Sequence, residues 1–274
     1  MLFRSRLLSH LNMGYVKFDQ LDCLVLDEAD KMLDMGFYDD IMRIINFLPK
    51  QRQNLFFSAT MPPRMRELAK RIMQNPAEVS LALSKPAAGI LQGAYLVHDN
   101  QKIPLVTKLL TGKELSSVLI FVATKSGVKD LERELRKARL SVGAISSNLS
   151  QQEREEVLLS FRNRNTQILV ATDILSRGID IDNIGLVINY DVPGDAEDYV
   201  HRIGRTARAE STGVALTLVN EKDQHRLAQI EELIEKEVPR IPLPQEIGSS
   251  PDWNPVKFKK AFGKKNPKFR GRRK

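Results

Sequence analysis

The sequence predicts an α/β protein built from two parallel-sheet domains, and three observations predict it. Continuous apolar runs of four to six residues recur from Leu21 onward, as strands buried on both faces require. Helical apolar spacing separates them, as crossovers between parallel strands require. The chain of 274 residues, 42% hydrophobic, is long enough for two cores of ordinary domain size.

Residues 24–26 make the first strand, and Ile41, Ile44, Ile45 and Leu48 then line a helical face that Pro49 closes. Residues 54–57 form the next strand. Met65, Leu68 and Ile72 mark a helix that begins after Pro62-Pro63, because proline suits a first turn. Residues 84–96 hold Pro86, Gly89 and Gly93 with little periodicity and read as a linker. Alternation resumes with strands over 118–122, 167–171, 185–190 and 214–219. Val128, Leu131 and Leu135 mark one helix between them. Ser150-Gln151-Gln152-Glu153 opens another, since Ser150 and Glu153 can satisfy each other's exposed amides. Leu227, Ile230 and Ile234 mark a last helix after Glu221, running to about Pro239. The expected boundaries are a first domain over 1–83, a linker over 84–96, a second domain over 97–247 and a disordered basic tail over 248–274.

Charge and cysteine content narrow the function classes. The formal charge is +8, but residues 253–274 carry seven Lys, three Arg and no acid, so removing those ten charges leaves the rest at −2. The basic character therefore belongs to the tail. There Trp253, Phe258, Phe262 and Phe269 interleave with the cations. Cations attract phosphate regardless of sequence, and aromatic rings stack on unpaired bases, although such a tail can also merely add charge. Cys23 is the sole cysteine, which excludes an intrachain disulfide and a cysteine metal cluster. It reads as a small buried apolar residue in a reducing interior. No apolar run approaches the roughly 18 residues of a membrane span, so the expected location is cytoplasmic.

Asp27-Glu28-Ala29-Asp30 follows the first strand directly, at the sheet edge where open α/β folds bind ligands. One carboxylate there can hold Mg²⁺ while its neighbour orients a water for attack on phosphorus. The same acids also suit a helix N-terminus for its dipole alone. Ser58-Ala59-Thr60 brings two hydroxyls to the same edge. Ala171-Thr172-Asp173 leaves a later strand and leads into Ser176-Arg177-Gly178-Ile179-Asp180. His201-Arg202-Ile203-Gly204-Arg205-Thr206-Ala207-Arg208 then sets three arginines around a glycine. Arginine is suited to stabilise charge spread over a transferring phosphoryl group.

In order and spacing these segments resemble the DEAD-box family of ATP-dependent RNA helicases over nearly the whole chain before the tail. The resemblance implies two RecA-like domains, the first incomplete, with ATP and Mg²⁺ as cofactors and RNA as partner. It implies that Asp27 holds Mg²⁺, that Glu28 positions the attacking water, and that Arg205 and Arg208 act as arginine fingers. Gly178 and Asp180 would meet the nucleotide. Asp30, Ser58 and Thr60 would couple nucleotide state to domain closure, with Arg177 and His201 bracing the interface. Arg6, Gln151, Arg154 and Thr172 would contact RNA, joined by Lys257, Lys259, Lys260, Arg270, Arg272 and Arg273 of the tail. Spacing supports part of this, because Gln151 and Arg154 share a face of a helix's first turn, beside amides that bind phosphate.

Four departures stand out. Ile145-Ser146-Ser147-Asn148 occupies a place where the family commonly has histidine and glycine, and Ala207 stands for a glycine. No G-x-x-x-x-G-K-[ST] loop occurs, since neither Gly112-Lys113 nor Gly263-Lys264 precedes Ser or Thr. Phe3, Arg4 and Ser5 also stand where the family has Thr-Pro-Gly ahead of an Arg-Leu pair. The expectation is an N-terminally truncated motor that binds RNA without turning over ATP, with residues 1–83 unstable alone. A non-enzymatic RNA-binding module and a DNA motor are the alternatives.

Overall fold

The computed structural model describes residues 2–34, 36–58, 61–79, 89–112, 117–146, 148–173, 184–206 and 213–255. The chain divides into two units, Met1–Leu83 and Ser84–Lys274.

The first unit contains α1 (Leu2–Asn12), β1 (Cys23–Leu26), α2 (Ala29–Asp34), α3 (Tyr38–Asn46), β2 (Gln53–Phe56) and α4 (Pro63–Ile72). The two strands pair in parallel, with Leu24 opposite Asn54 and Leu26 opposite Phe56. Leu26, Ala29, Leu33, Ile41, Met65 and Leu68 form its core, so helices α2 to α4 cover one face of the pair. Alternation along β1 sends Leu26 to that face and Cys23 and Val25 to the other. Val25 is 51% exposed. Cys23 is exposed too, contrary to the sequence expectation. Its side chain belongs to the face that these helices do not cover.

The second unit contains β3 (Ile90–Leu96), α5 (Lys102–Leu110), β4 (Val118–Phe121), α6 (Lys125–Lys137), β5 (Val142–Ile145) and α7 (Gln151–Arg162). It continues through β6 (Ile168–Ala171), β7 (Leu186–Asn189), α8 (Ala196–Ile203), β8 (Gly213–Val219) and α9 (Gln224–Ile234). The six strands lie in the order β3-β8-β7-β4-β6-β5. All five pairings are parallel. Val118, Ile120, Ile168, Val170, Leu186 and Ile188 pack with α5 and α6. Leu119, Phe121, Leu169, Ala171 and Val187 face the opposite way and pack with Phe161 of α7. Helices α8 and α9 add Tyr199, Ile203, Leu227 and Ile230 around β3 and β8. The continuous apolar runs therefore mean what they imply, strands buried from both sides.

Two boundaries differ from the sequence expectation. The segment 90–96, expected as the end of a linker, is strand β3 and pairs over seven positions with β8. Gly93 marks a close approach there: a Cβ would lie 2.4 Å from Ile241 Cδ1. The amides of Ala94 and Ile241 bond to Pro239 O and Ala94 O at 2.9 and 2.8 Å, so the chain after α9 borders the strand. The second difference is the segment 248–255, expected to be disordered. Gln101 Nε2 donates to Ile247 O and Ser249 O, both at 3.0 Å, and Gln224 Nε2 donates to Asp252 O at 2.7 Å. The prolines at 242, 244 and 251 thus shape a strap along the domain rather than release it. The tail cations Lys257 to Arg273 lie outside the described residues.

Candidate functional site

In the first unit the acidic segment turns sharply off β1. Glu28 has φ +47°, a conformation few residues other than glycine adopt. That turn lets the Glu28 amide donate to Asp27 Oδ1 at 2.9 Å, and the Ala29 amide to Phe57 O at 3.1 Å. Asp30 is 2% exposed. Its amide donates to Ser58 Oγ at 3.3 Å, and its Oδ1 accepts from the Lys31 amide at 2.8 Å. The structure thereby joins two segments that the sequence places at one sheet edge, 28 residues apart. Asp27 stays exposed and Glu28 half-buried. Among the described residues no cluster of three or more His, Cys, Asp or Glu side chains is placed to hold a metal. The exposed Asp27 carboxylate has the donor chemistry for a cation that a polyphosphate carries. Thr60 lies outside the described residues, and of Arg6 the structure describes only its place in α1.

In the second unit Thr172 and Asp173 leave the carboxyl end of β6 half-buried. Arg202 of α8 is 4% exposed. Its Nε donates to Asp173 Oδ1 at 2.6 Å, its Nη2 pairs with Asp173 Oδ2, and its Nη1 reaches Asn189 Oδ1 at 3.2 Å and Asp191 O at 2.9 Å. The guanidinium also sits 5.1 Å from the Phe121 ring centroid. This bidentate fork ties the ends of β6 and β7 to α8. Arg202 and Arg205 are therefore not equivalent. Arg202 turns inward, His201 is exposed, and Arg205 is half-buried with its amide on Arg202 O at 3.2 Å. Thr206 Oγ1 donates to Ile184 O, and a Cβ on Gly213 would lie 2.0 Å from that hydroxyl.

Helix α7 starts as its capping box predicts. The Glu153 amide donates to Ser150 Oγ at 3.3 Å, and the Ser150 amide to Glu153 Oε2 at 2.7 Å. Hydrogen bonds from Ser150 hold the Glu153 carboxyl below its ordinary range. Gln151 Nε2 donates to Glu155 Oε1 at 2.5 Å, and Gln151 and Arg154 are both half-buried at this helix start. Arg177, Gly178, Asp180 and Arg208 lie outside the described residues.

One polar pair escapes sequence reasoning. Lys102 is 3% exposed, with Nζ 2.7 Å from Asp191 Oδ1, and Asp191 Oδ2 accepts from the Ala123 amide at 2.8 Å. Lys102 also lies over Tyr190, whose hydroxyl is pushed above its usual range by burial first and by Asp191 second. A lysine at a helix start reads as solvated. Its partner is 89 residues away, so no local signal could have found it.

Comparison with known proteins decides the family. The DEAD/DEAH box helicase model matches residues 2–68, and the helicase conserved C-terminal domain model matches residues 101–210. The E. coli DEAD-box protein SrmB, solved bound to regulator of ribonuclease activity A, is 31% identical; the match covers 97% of that chain and 60% of this one, with a TM-score of 0.57. The chain belongs to the DEAD-box RNA helicase family.

Other DEAD-box relatives match across both units. The ATP-dependent RNA helicase DeaD of Haemophilus influenzae is 40% identical over 244 residues, covering 89% of this chain and 40% of that protein. The DEAD-box ATP-dependent RNA helicase CshA of Geobacillus kaustophilus is 39% identical, covering 88% of this chain and 52% of that protein. The S. cerevisiae protein Dbp5 bound to RNA and ADP BeF3 superimposes with a TM-score of 0.78 at 33% identity, covering 86% of this chain and 63% of that one. This DEAD-box chain thus spans about half the length of the curated relatives it matches, 40 to 52%. No helix among its described residues is long and apolar enough to cross a membrane.

Proposed function

We propose that this chain is a fragment of an ATP-dependent RNA helicase motor, and that by itself it binds RNA without turning over ATP. The observation that best supports this reading is the Arg202 fork. The buried Arg202 side chain holds Asp173 at the end of β6, and its backbone carbonyl accepts from the Arg205 amide in the turn that follows. In the proposed motor, Thr172 meets the RNA backbone together with Gln151, Arg154 and Arg6, and Arg205 and Arg208 stabilise charge on the γ-phosphate.

Asp27 would hold the Mg²⁺ that accompanies ATP, and Glu28 would orient the attacking water beside it. Bound there, the ion would draw charge from the phosphates. Gly178 and Asp180 would contact the nucleotide. Asp30, Ser58 and Thr60 would relay its state, with Arg177 and His201 at the closing interface. The tail cations would add sequence-independent attraction to RNA. Asp27 and Glu28 suit their part of this chemistry, but the phosphate-cradling loop is not among the 274 residues. Nucleotide capture is therefore not assigned to this chain.

The test pairs two assays on the full chain. Fluorescence anisotropy with labelled single-stranded RNA should show binding that weakens steeply with salt. RNA-stimulated phosphate release should stay at background. Hydrolysis above background that disappears in Glu28→Gln would overturn the claim of no turnover, and absence of RNA binding at low salt would overturn the RNA assignment.

A further inference from the structure

Trp253 is where the chain treats the root of its tail unlike an ordinary terminus. The buried side chain of Gln224 in α9, 1% exposed, uses both ends of its amide on the residues either side of it. Its Nε2 donates to Asp252 O at 2.7 Å, and its Oε1 accepts from the Asn254 amide at 2.6 Å. The backbone carrying Trp253 is thus fixed on both sides by one group. The ring is fixed as well, because the Arg240 guanidinium lies 4.1 Å from its centroid. Arg240 is itself held by Glu231, at 2.6 Å from Nη1 to Oε1 and 3.0 Å from Nη2 to Oε2.

A tryptophan whose task is to pin a strap should be buried. The neighbouring Pro251 is buried and fills that task, whereas Trp253 keeps 37% of its surface open. An immobilised, part-open indole backed by a guanidinium is well suited to stack on a planar ring, since the ring and its position are ordered before any ligand arrives. The chain beyond Trp253 names the ligand class: residues 257–274 carry ten Lys and Arg and no Asp or Glu. That balance attracts a polyanion, and a polyanion with exposed planar faces is a nucleic acid strand with unpaired bases.

We infer that Trp253, backed by Arg240 and clamped by Gln224, is a stacking platform for an unpaired RNA base at the root of the cationic tail. It deepens the RNA-binding reading above and rests on it. Stacking separates this platform from charge alone, because a base inside a duplex offers no free face.

Trp253 is the only tryptophan in the chain, so its emission reports this site alone. The full chain is titrated with oligoadenylate and with a blunt RNA duplex of equal phosphate count, monitoring tryptophan emission and, separately, the anisotropy of labelled RNA. The single strand should quench Trp253 and the duplex should not. Trp253→Ala should weaken single-strand binding roughly 5- to 100-fold, with duplex binding unchanged, and Trp253→Phe should restore much of it. Single-strand binding that leaves the emission unchanged would overturn the inference while sparing the RNA reading. Equal losses for both RNA forms in Trp253→Ala would overturn it too, and would make the residue a structural pin. No RNA binding in anisotropy would fail the RNA reading itself. If Trp253→Ala does not fold, the titration of the unaltered chain decides alone.

Discussion

Val25 in β1 and Ile120 in β4 hold the same kind of position, the interior of an apolar strand in a parallel sheet. Val25 is nevertheless 51% exposed, while Ile120 is fully buried. In β4 every residue is buried, with helices on both sides of its sheet. In β1 only Leu26 is buried, and Phe57 just beyond β2 is 55% exposed. An apolar run thus states a demand for cover on both faces, and the elements around it decide whether the demand is met. The second unit meets it and the first meets half.

The largest expected effects test that contrast directly. Ile120→Ala should cost about 2–5 kcal/mol by opening a cavity between helices, whereas Val25→Ala should stay within about 0.5 kcal/mol. Urea unfolding with a probe in each unit measures both. Amide hydrogen exchange should show the second unit protected and β1 and β2 exchanging early. Equal protection in both halves would sink the contrast, and with it the expectation that residues 1–83 do not fold alone.

Arg202 offers the next step down. Arg202→Leu leaves Asp173 and Asn189 without their shared donor, and should cost roughly 2–3 kcal/mol once the partial exposure of Asp173 is discounted. The unfolding midpoint of the second unit should fall while that of the first does not move. A midpoint unchanged in both would show that the fork is dispensable for stability.

Two glycines sharpen the comparison within the second unit. In Gly213→Ala the new Cβ meets Thr206 Oγ1 at 2.0 Å, in a hydroxyl tied to Ile184 O, so relief requires breaking that tie. The expected loss is about 1–3 kcal/mol. In Gly93→Ala the nearest atom is Cδ1 of Ile241 at 2.4 Å, the far end of a side chain that can turn away. Its loss should be the smaller of the two, and thermal unfolding of the pair reverses that ranking if the Ile241 packing is the tighter.

Close-packed glycines also explain what the sequence hides. Strands 118–122 and 167–171 are legible because unbroken apolar runs can only be buried. Strands β3 and β5 are not, because Gly93 and Gly143 interrupt them where Ile241 and Val157 come close. The strap over 240–255 reads as a proline-rich exit because its fasteners are Gln101 and Gln224, whose partners lie up to 148 and 30 residues away. At the candidate site, the acidic segment and Ser58 are legible as neighbours because both leave adjacent parallel strands at one edge. The inward turn of Arg202 is not, since it depends on Asp173 29 residues upstream.

The smallest effect lies at the start of α7, where charge and capping act together. Ser150→Ala should cost about 1 kcal/mol by leaving the Glu153 amide of the first turn without its hydroxyl acceptor. Glu153 adds a pH dependence whose sign is set by its depressed carboxyl. The Ser150 hydroxyl and then its amide favour the charged form in the folded chain. The folded group therefore holds its proton less tightly than the unfolded one, whose value is near 4.3. Its contribution is complete at neutral pH, begins to fade near that unfolded value and is lost as pH falls through the lower folded value. Glu153→Gln should flatten this part of the profile, so the gap in urea midpoint between parent and variant should close on acidification. A gap that stays constant from neutral pH down to about pH 3 would place the capping energy in the Ser150 hydroxyl alone.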